Sequence, residues 1–69
     1  MTDREFARQS CDDGFKEGVQ KMFGVLFQEY VVAKTPTQKK QAVERFQAGL
    51  GLCKEAYHSA QQAIDAVFV

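Results

Sequence analysis

The sequence has no excess of either charge, and it carries only one histidine. Nine basic side chains balance nine acidic ones over 69 residues, so bulk charge does not favour binding to a polyanion. A structural zinc ion needs about four converging ligands, which the lone imidazole of His58 cannot supply. We therefore expect neither a metal nor another cofactor.

Cysteine is also scarce. Cys11 and Cys53 are the only two, which is too few for a disulfide framework, and they form no CxxC motif. If the chain folds back near Thr35, the two residues lie about 9 Å apart along the helix axis, at 1.5 Å per residue. That separation is too long for a disulfide without distortion. The sequence thus predicts reduced thiols and a cytoplasmic location.

Long apolar runs are missing as well. The most apolar segment, residues 22–33, is interrupted by Gln28 and Glu29, and it falls short of the roughly 20 residues that a membrane-spanning helix requires. The first residues lack the basic and then apolar pattern of a signal peptide. We expect no membrane span.

Pro36 is the single proline, and it marks the organisation of the chain. Thr35 is a good N-cap, Pro36 suits the first helical position, and Gln38 completes a capping box. The first helix should therefore end near Ala33 or Lys34, with a turn at residues 34–35 and a second helix over about 36–68. So short a connection predicts an antiparallel helical hairpin within a single all-α domain, residues 1–69.

The second helix carries a continuous apolar stripe. Its spacing alternates between three and four residues, which keeps the stripe facing one neighbouring helix. The stripe is predicted to form the main contact of the hairpin and comprises Val43, Phe46, Leu50, Cys53, Tyr57, Ala60, Ile64 and Val67.

The first helix is less regular. Thr2 and Glu5 form a second capping box, so the helix should begin at Asp3. We predict a break at residues 12–14, where Asp12-Asp13-Gly14 offers N-cap residues beside a glycine, with residues 3–11 as a short separate helical turn. One continuous helix is the alternative. The inward side is predicted to carry Val19, Phe23, Leu26, Tyr30 and Ala33.

A second, parallel row of apolar or small residues runs along each helix. On the second helix it contains Ala42, Gly49, Ala56 and Ala63, and on the first helix Phe15, Gly18, Met22, Val25 and Val32. One hairpin can bury only one row on each helix, and contiguous exposed apolar surface marks an interface. The economical solution is a two-fold homodimer that closes a four-helix bundle.

The residues that we expect at this interface come from both helices. A second copy and a different protein remain alternative occupants, because both would produce the same pattern. Phe6 and the N-terminal turn are predicted to form a mobile arm. The expected interface residues are Phe6, Phe15, Met22, Val25, Phe27, Leu52, Ala56 and Ala63.

Basic side chains on the first helix and at the turn suggest a second function, RNA binding by a helical hairpin of the Rop type. Acidic residues are mixed among them, and no aromatic residue stands beside them to stack on a base. Nucleic acid is therefore the less favoured partner. The basic residues are Arg4, Arg8, Lys16, Lys21, Lys34, Lys39 and Lys40.

No serine, cysteine or carboxylate stands in a catalytic arrangement, so we do not expect an enzyme. In size and pattern, though in no motif, the chain resembles small helical hairpins that serve as plasmid copy-number regulators, secretion co-chaperones or phage-encoded inhibitors. Fold alone does not define function. The leading hypothesis is a small regulator or adaptor that binds another protein through its apolar helix faces, as a homodimer.

Overall fold

Two long helices pack against each other in the computed structural model, which describes residues 1–68. Helix α1 spans Asp3–Val32 and helix α2 spans Pro36–Val67. Side chains near the start of α1 contact the end of α2, so the two helices run antiparallel. The predicted all-α helical hairpin is confirmed.

Threonine caps fix where each helix begins. The Thr2 Oγ1 atom accepts a hydrogen bond from the backbone N–H of Glu5 at 3.1 Å, and Thr35 Oγ1 accepts one from Gln38 at 3.2 Å. The Gln38 side chain reaches one residue beyond the cap and accepts from the N–H of Lys34 at 2.6 Å. These bonds satisfy backbone donors that have no partner within the helix.

Helix α1 is continuous from Asp3 to Val32, so the predicted break at residues 12–14 is wrong. Gly14 costs a helix interior about 1 kcal/mol relative to alanine. Contacts with α2 offset that cost, because Asp12 accepts hydrogen bonds from the Tyr57 hydroxyl and, at 3.5 Å, from Gln61. Residues 3–11 therefore belong to the helix, and the predicted mobile arm is helical.

The apolar stripe of α2 faces α1, as predicted. Seven of its eight members are half-buried against α1, whereas Val67, at the C-terminal end, is exposed. The half-buried members are Val43, Phe46, Leu50, Cys53, Tyr57, Ala60 and Ile64.

The inward side of α1 differs from the prediction. Phe23 and Tyr30, expected to face α2, are exposed, whereas Phe15 and Met22 lie between the helices. The Phe15 ring packs 4.8 Å from the ring of Tyr57, measured between centroids. Met22 lies over Gly49 so closely that a Cβ atom there would stand 2.7 Å from the Met22 Sδ atom. The small residues of α2 thus admit large side chains of α1 and set the register.

The hairpin is a single layer of helices. Its Cα atoms span 51 × 18 × 9 Å, and within residues 1–68 only Ala42 is fully buried. Stable domains ordinarily need at least two packed layers around a core. Both broad sides of this layer are therefore open.

Candidate functional site

One broad side of the hairpin, the groove face, carries Ala56 and Ala63 of the second row of α2, whereas Ala42 and Gly49 of that row lie between the helices. Arg45 lies on this side, where it contacts Glu29, and helical spacing places Leu52, Ala56 and Ala63 on the same side. On α1 this side carries Gly14, Val25 and Val32. These residues border a shallow groove between the two helices.

Two hollows lie one after the other along the groove. The hollow nearer the turn has a volume of about 140 Å³ and is lined by Met22, Val25, Leu26, Glu29, Ala42, Arg45, Phe46 and Gly49. The hollow nearer the chain ends has a volume of about 310 Å³ and is lined by Cys11, Gly14, Phe15, Cys53, Ala56, Tyr57 and Ala60. Leu52 is 66% exposed and Val25 is 55% exposed beside these hollows. The face thus combines protruding aliphatic side chains with recesses that could receive them.

The opposite broad side, the aromatic face, carries Phe23, Phe27 and Tyr30 at spacings of four and three residues. The two phenylalanine side chains are 59% and 60% exposed. Together with Leu26, the three aromatic residues line a hollow of about 290 Å³ near the turn. Lys39 Nζ stands 5.9 Å from the centroid of the Tyr30 ring, within the range of a cation–π contact.

Ion pairs join the two helices at both ends of the hairpin. Asp65 Oδ1 contacts the guanidinium of Arg8 at 2.6 Å and that of Arg4 at 2.8 Å. Hydrogen bonds from these two arginines hold the pKa of Asp65 below its usual range. Near the turn, Glu29 Oε2 accepts from Arg45 at 2.5 and 3.1 Å. Arg4 and Arg8, two of the basic residues that an RNA-binding surface would use, thus form ion pairs with Asp65 of the same chain.

Tyr57 donates a hydrogen bond to the Asp12 carboxylate, and this bond raises the pKa of Tyr57 above its ordinary value near 10, with desolvation as a further cause. Because the pKa is raised on folding, the bond stabilises the fold below pH 10 and is lost as pH rises through the folded-state pKa. In a Tyr30→Phe background, absorbance titration should show the remaining tyrosine ionising above pH 10. Asp12→Asn should lower that midpoint.

An unchanged midpoint in the Asp12→Asn protein would contradict this contact. Glu5→Gln is the matched control, because it also removes one carboxylate of α1 but leaves Asp12 in place. We expect the control to titrate like its parent.

The eight predicted interface residues do not form one surface. Val25 and Ala56 line the hollows of the groove face, and Phe15 and Met22 form part of its floor. Helical spacing places Leu52 and Ala63 on the same face. Phe27 lies on the aromatic face. Phe6 is 64% exposed on the side of α1 that faces away from α2, apart from both faces. Their part in binding stays a prediction.

Sequence reasoning missed Phe23 and Tyr30 as surface residues, since it assigned both to the inner side of α1. Their spacing with Phe27 is the signal that could have found them, because intervals of four and three residues place all three on one side of a helix. The structure brings them together in one patch.

Across residues 1–68, no three histidine, cysteine or carboxylate side chains converge as metal ligands would. Over the same residues, neither helix has a stretch both long and apolar enough to cross a membrane. Comparison of the chain with protein families, curated proteins and solved structures finds no match.

Proposed function

We propose that this protein is a small, non-enzymatic regulator or adaptor that binds other proteins through apolar helix faces and works as a homodimer. The groove face is the dimer interface, and two hairpins stacked on it form a four-helix bundle. The single observation that carries the proposal is the open, one-layer hairpin in which Ala42 alone among residues 1–68 is fully buried.

The accessible surface area of the hairpin supports pairing with a second copy. The hairpin exposes 5438 Å², whereas a compact monomer of its mass exposes about 4,400 Å². The difference of about 1,000 Å² is comparable to the roughly 800 Å² that each partner buries in a standard protein interface. A second copy on one broad side would bring the surface down to the ordinary range.

The groove face also suits pairing with itself. Leu52 lies about 7 Å along α2 from the centre of the larger hollow, at 1.5 Å per residue. A two-fold axis perpendicular to the helices, at the level midway between Leu52 and the centre of this hollow, would bring Leu52 of each copy to the level of the hollow in the other copy. The axis would cross α2 within about one turn, 5 Å, of its midpoint. Two hairpins would thus overlap along nearly their whole length.

Small residues in the groove favour close packing between the copies. Gly14, Ala56 and Ala63 carry little or no side chain, so a facing helix can approach to the short end of the usual 8–10 Å between axes. The hollow itself is lined mostly by apolar side chains. Burial of Leu52 there would therefore leave few polar groups without partners.

Mixed-label NMR tests the assignment of the interface. In a dimer of one ¹³C-labelled and one unlabelled chain, isotope filtering reports only contacts between copies. We expect intermolecular NOEs from the Leu52 methyl groups to the Phe15 ring and the Ala56 methyl group. Intermolecular NOEs that involve Phe23 or Phe27 instead would contradict this assignment.

RNA binding is the alternative function, and it has weaker support. Arg4 and Arg8 both contact Asp65, which reduces the positive charge that α1 can offer to phosphates. One observation favours it, the position of Lys39 beside the Tyr30 ring, because a base could stack there. The apolar surroundings of that ring are better suited to aliphatic side chains.

A further inference from the structure

The aromatic face remains open when two hairpins pair through their groove faces. Phe23, Phe27 and Tyr30 would then lie on the outside of the four-helix bundle, one patch on each hairpin. Contiguous exposed apolar surface of this kind is typical of a docking site. What could cover the patch follows from its position, its shape and its charge.

Position argues against a second copy at this patch. The patch centres near Leu26, about 13 Å along α1 from the helix midpoint at 1.5 Å per residue. A two-fold axis through it would therefore overlap only the turn ends of two hairpins. Farther along the same side the surface becomes polar, with Asp12, Gln61 and Asp65 in hydrogen bonds.

Shape favours a helix with an apolar stripe. Phe23, Phe27 and Tyr30 repeat at four and three residues along α1, and the same interval would recur on a helix laid against them. The hollow between them, about 290 Å³, is lined by these three residues and Leu26. That volume can receive leucine-sized or smaller aliphatic side chains.

Charge favours acidic residues beside that stripe. Lys39 lies next to Tyr30, and helical spacing places Lys54 on the same side of α2 as Lys39. Lys16 precedes Phe23 by two helical turns, and Lys34 follows the end of α1. Within residues 1–68 the ion pairs are formed by arginines, so these lysines are free to pair with a partner.

We propose that the aromatic face binds an amphipathic helix of another protein, one whose apolar stripe is flanked by aspartate or glutamate. This inference rests on the proposed function and names the chemistry of its partner. Phe23 and Phe27 provide the apolar contact, and the surrounding lysines select acidic over basic helices. Selectivity of this kind arises from attraction to one partner together with repulsion of the other.

A pair of synthetic peptides tests the proposal. Both form a helix with the same leucine stripe, one flanked by glutamates and the other by lysines, and binding to the full chain is followed by fluorescence anisotropy. We expect the glutamate peptide to bind at least 10-fold more tightly than the lysine peptide. Phe27→Ala should weaken its binding at least 10-fold, and Lys39→Glu should weaken it and reduce the preference.

Phe6→Ala is the matched control, because Phe6 is about as exposed as Phe27 but lies apart from both faces; it should bind like the wild type. Equal binding of both peptides, no binding of the glutamate peptide, or tighter binding of a short single-stranded RNA would overturn the proposal. The mass of the wild-type protein distinguishes this inference from the proposed homodimer. A wild-type dimer that fails to bind the glutamate peptide refutes this inference alone, whereas a monomeric wild type refutes the proposed homodimer.

Discussion

Replacement of Leu52 by glutamate is expected to convert the dimer into monomers. Burial of one leucine side chain contributes about 1.5–3 kcal/mol, and the two-fold axis makes the loss occur twice in each dimer. The glutamate would also place a carboxylate in a hollow lined mostly by apolar side chains. We therefore expect the dissociation constant of the dimer to rise by about 100-fold or more, as measured by sedimentation equilibrium.

Phe27→Glu is the matched control for this substitution. Phe27 is about as exposed as Leu52 in the hairpin, but it lies on the aromatic face. The Phe27→Glu protein should keep the mass of the dimer. Dissociation by Phe27→Glu with no effect of Leu52→Glu would show that the two faces have exchanged roles and would refute the groove-face interface.

Unfolding of the wild type is expected to depend on protein concentration. A lone hairpin in which only Ala42 is fully buried among residues 1–68 has no packed core, so we expect most of its stability to come from association. A tenfold rise in concentration should favour the folded dimer by about 1.4 kcal/mol. Urea titrations followed by circular dichroism at several concentrations measure the shift in midpoint.

The Leu52→Glu protein provides the comparison for these titrations. It should unfold at lower urea, in a broad transition that does not move with concentration. A wild-type midpoint that stays constant over a hundredfold range of concentration would mean that the hairpin is stable by itself, contrary to our expectation.

Features encoded in short stretches of sequence were predictable. The caps at Thr2 and Thr35 depend on residues within three positions of each other, and Pro36 fixes where the second helix begins. The stripe of α2 could also be predicted. Polar residues such as Gln47 and Lys54 border it, so only one side of this helix is suited to face α1.

The inward side of α1 could not be predicted in the same way. Residues 22–33 are apolar almost all round the helix, so several registers bury similar amounts of apolar surface. The choice depends on α2, where Gly49 leaves room for Met22. Once Met22 faces inward, the 3.6-residue turn places Phe23 and Tyr30 on the aromatic face.

The prediction of a break near Gly14 was wrong for a related reason. Aspartate and glycine do favour helix ends, but Asp12 also contacts Tyr57, which lies 45 residues later in the chain. A contact so distant in sequence is visible only once the register of the hairpin is known. The same contact positions the rim of the larger hollow.

The most direct test of the account is the mass of the wild-type chain in solution, measured by light scattering from low micromolar to millimolar concentration. We predict twice the 7.8 kDa mass of the chain over most of that range, with dissociation only at the lowest concentrations. A folded particle of 7.8 kDa at every concentration would contradict the claim that the groove face needs a second copy to cover it.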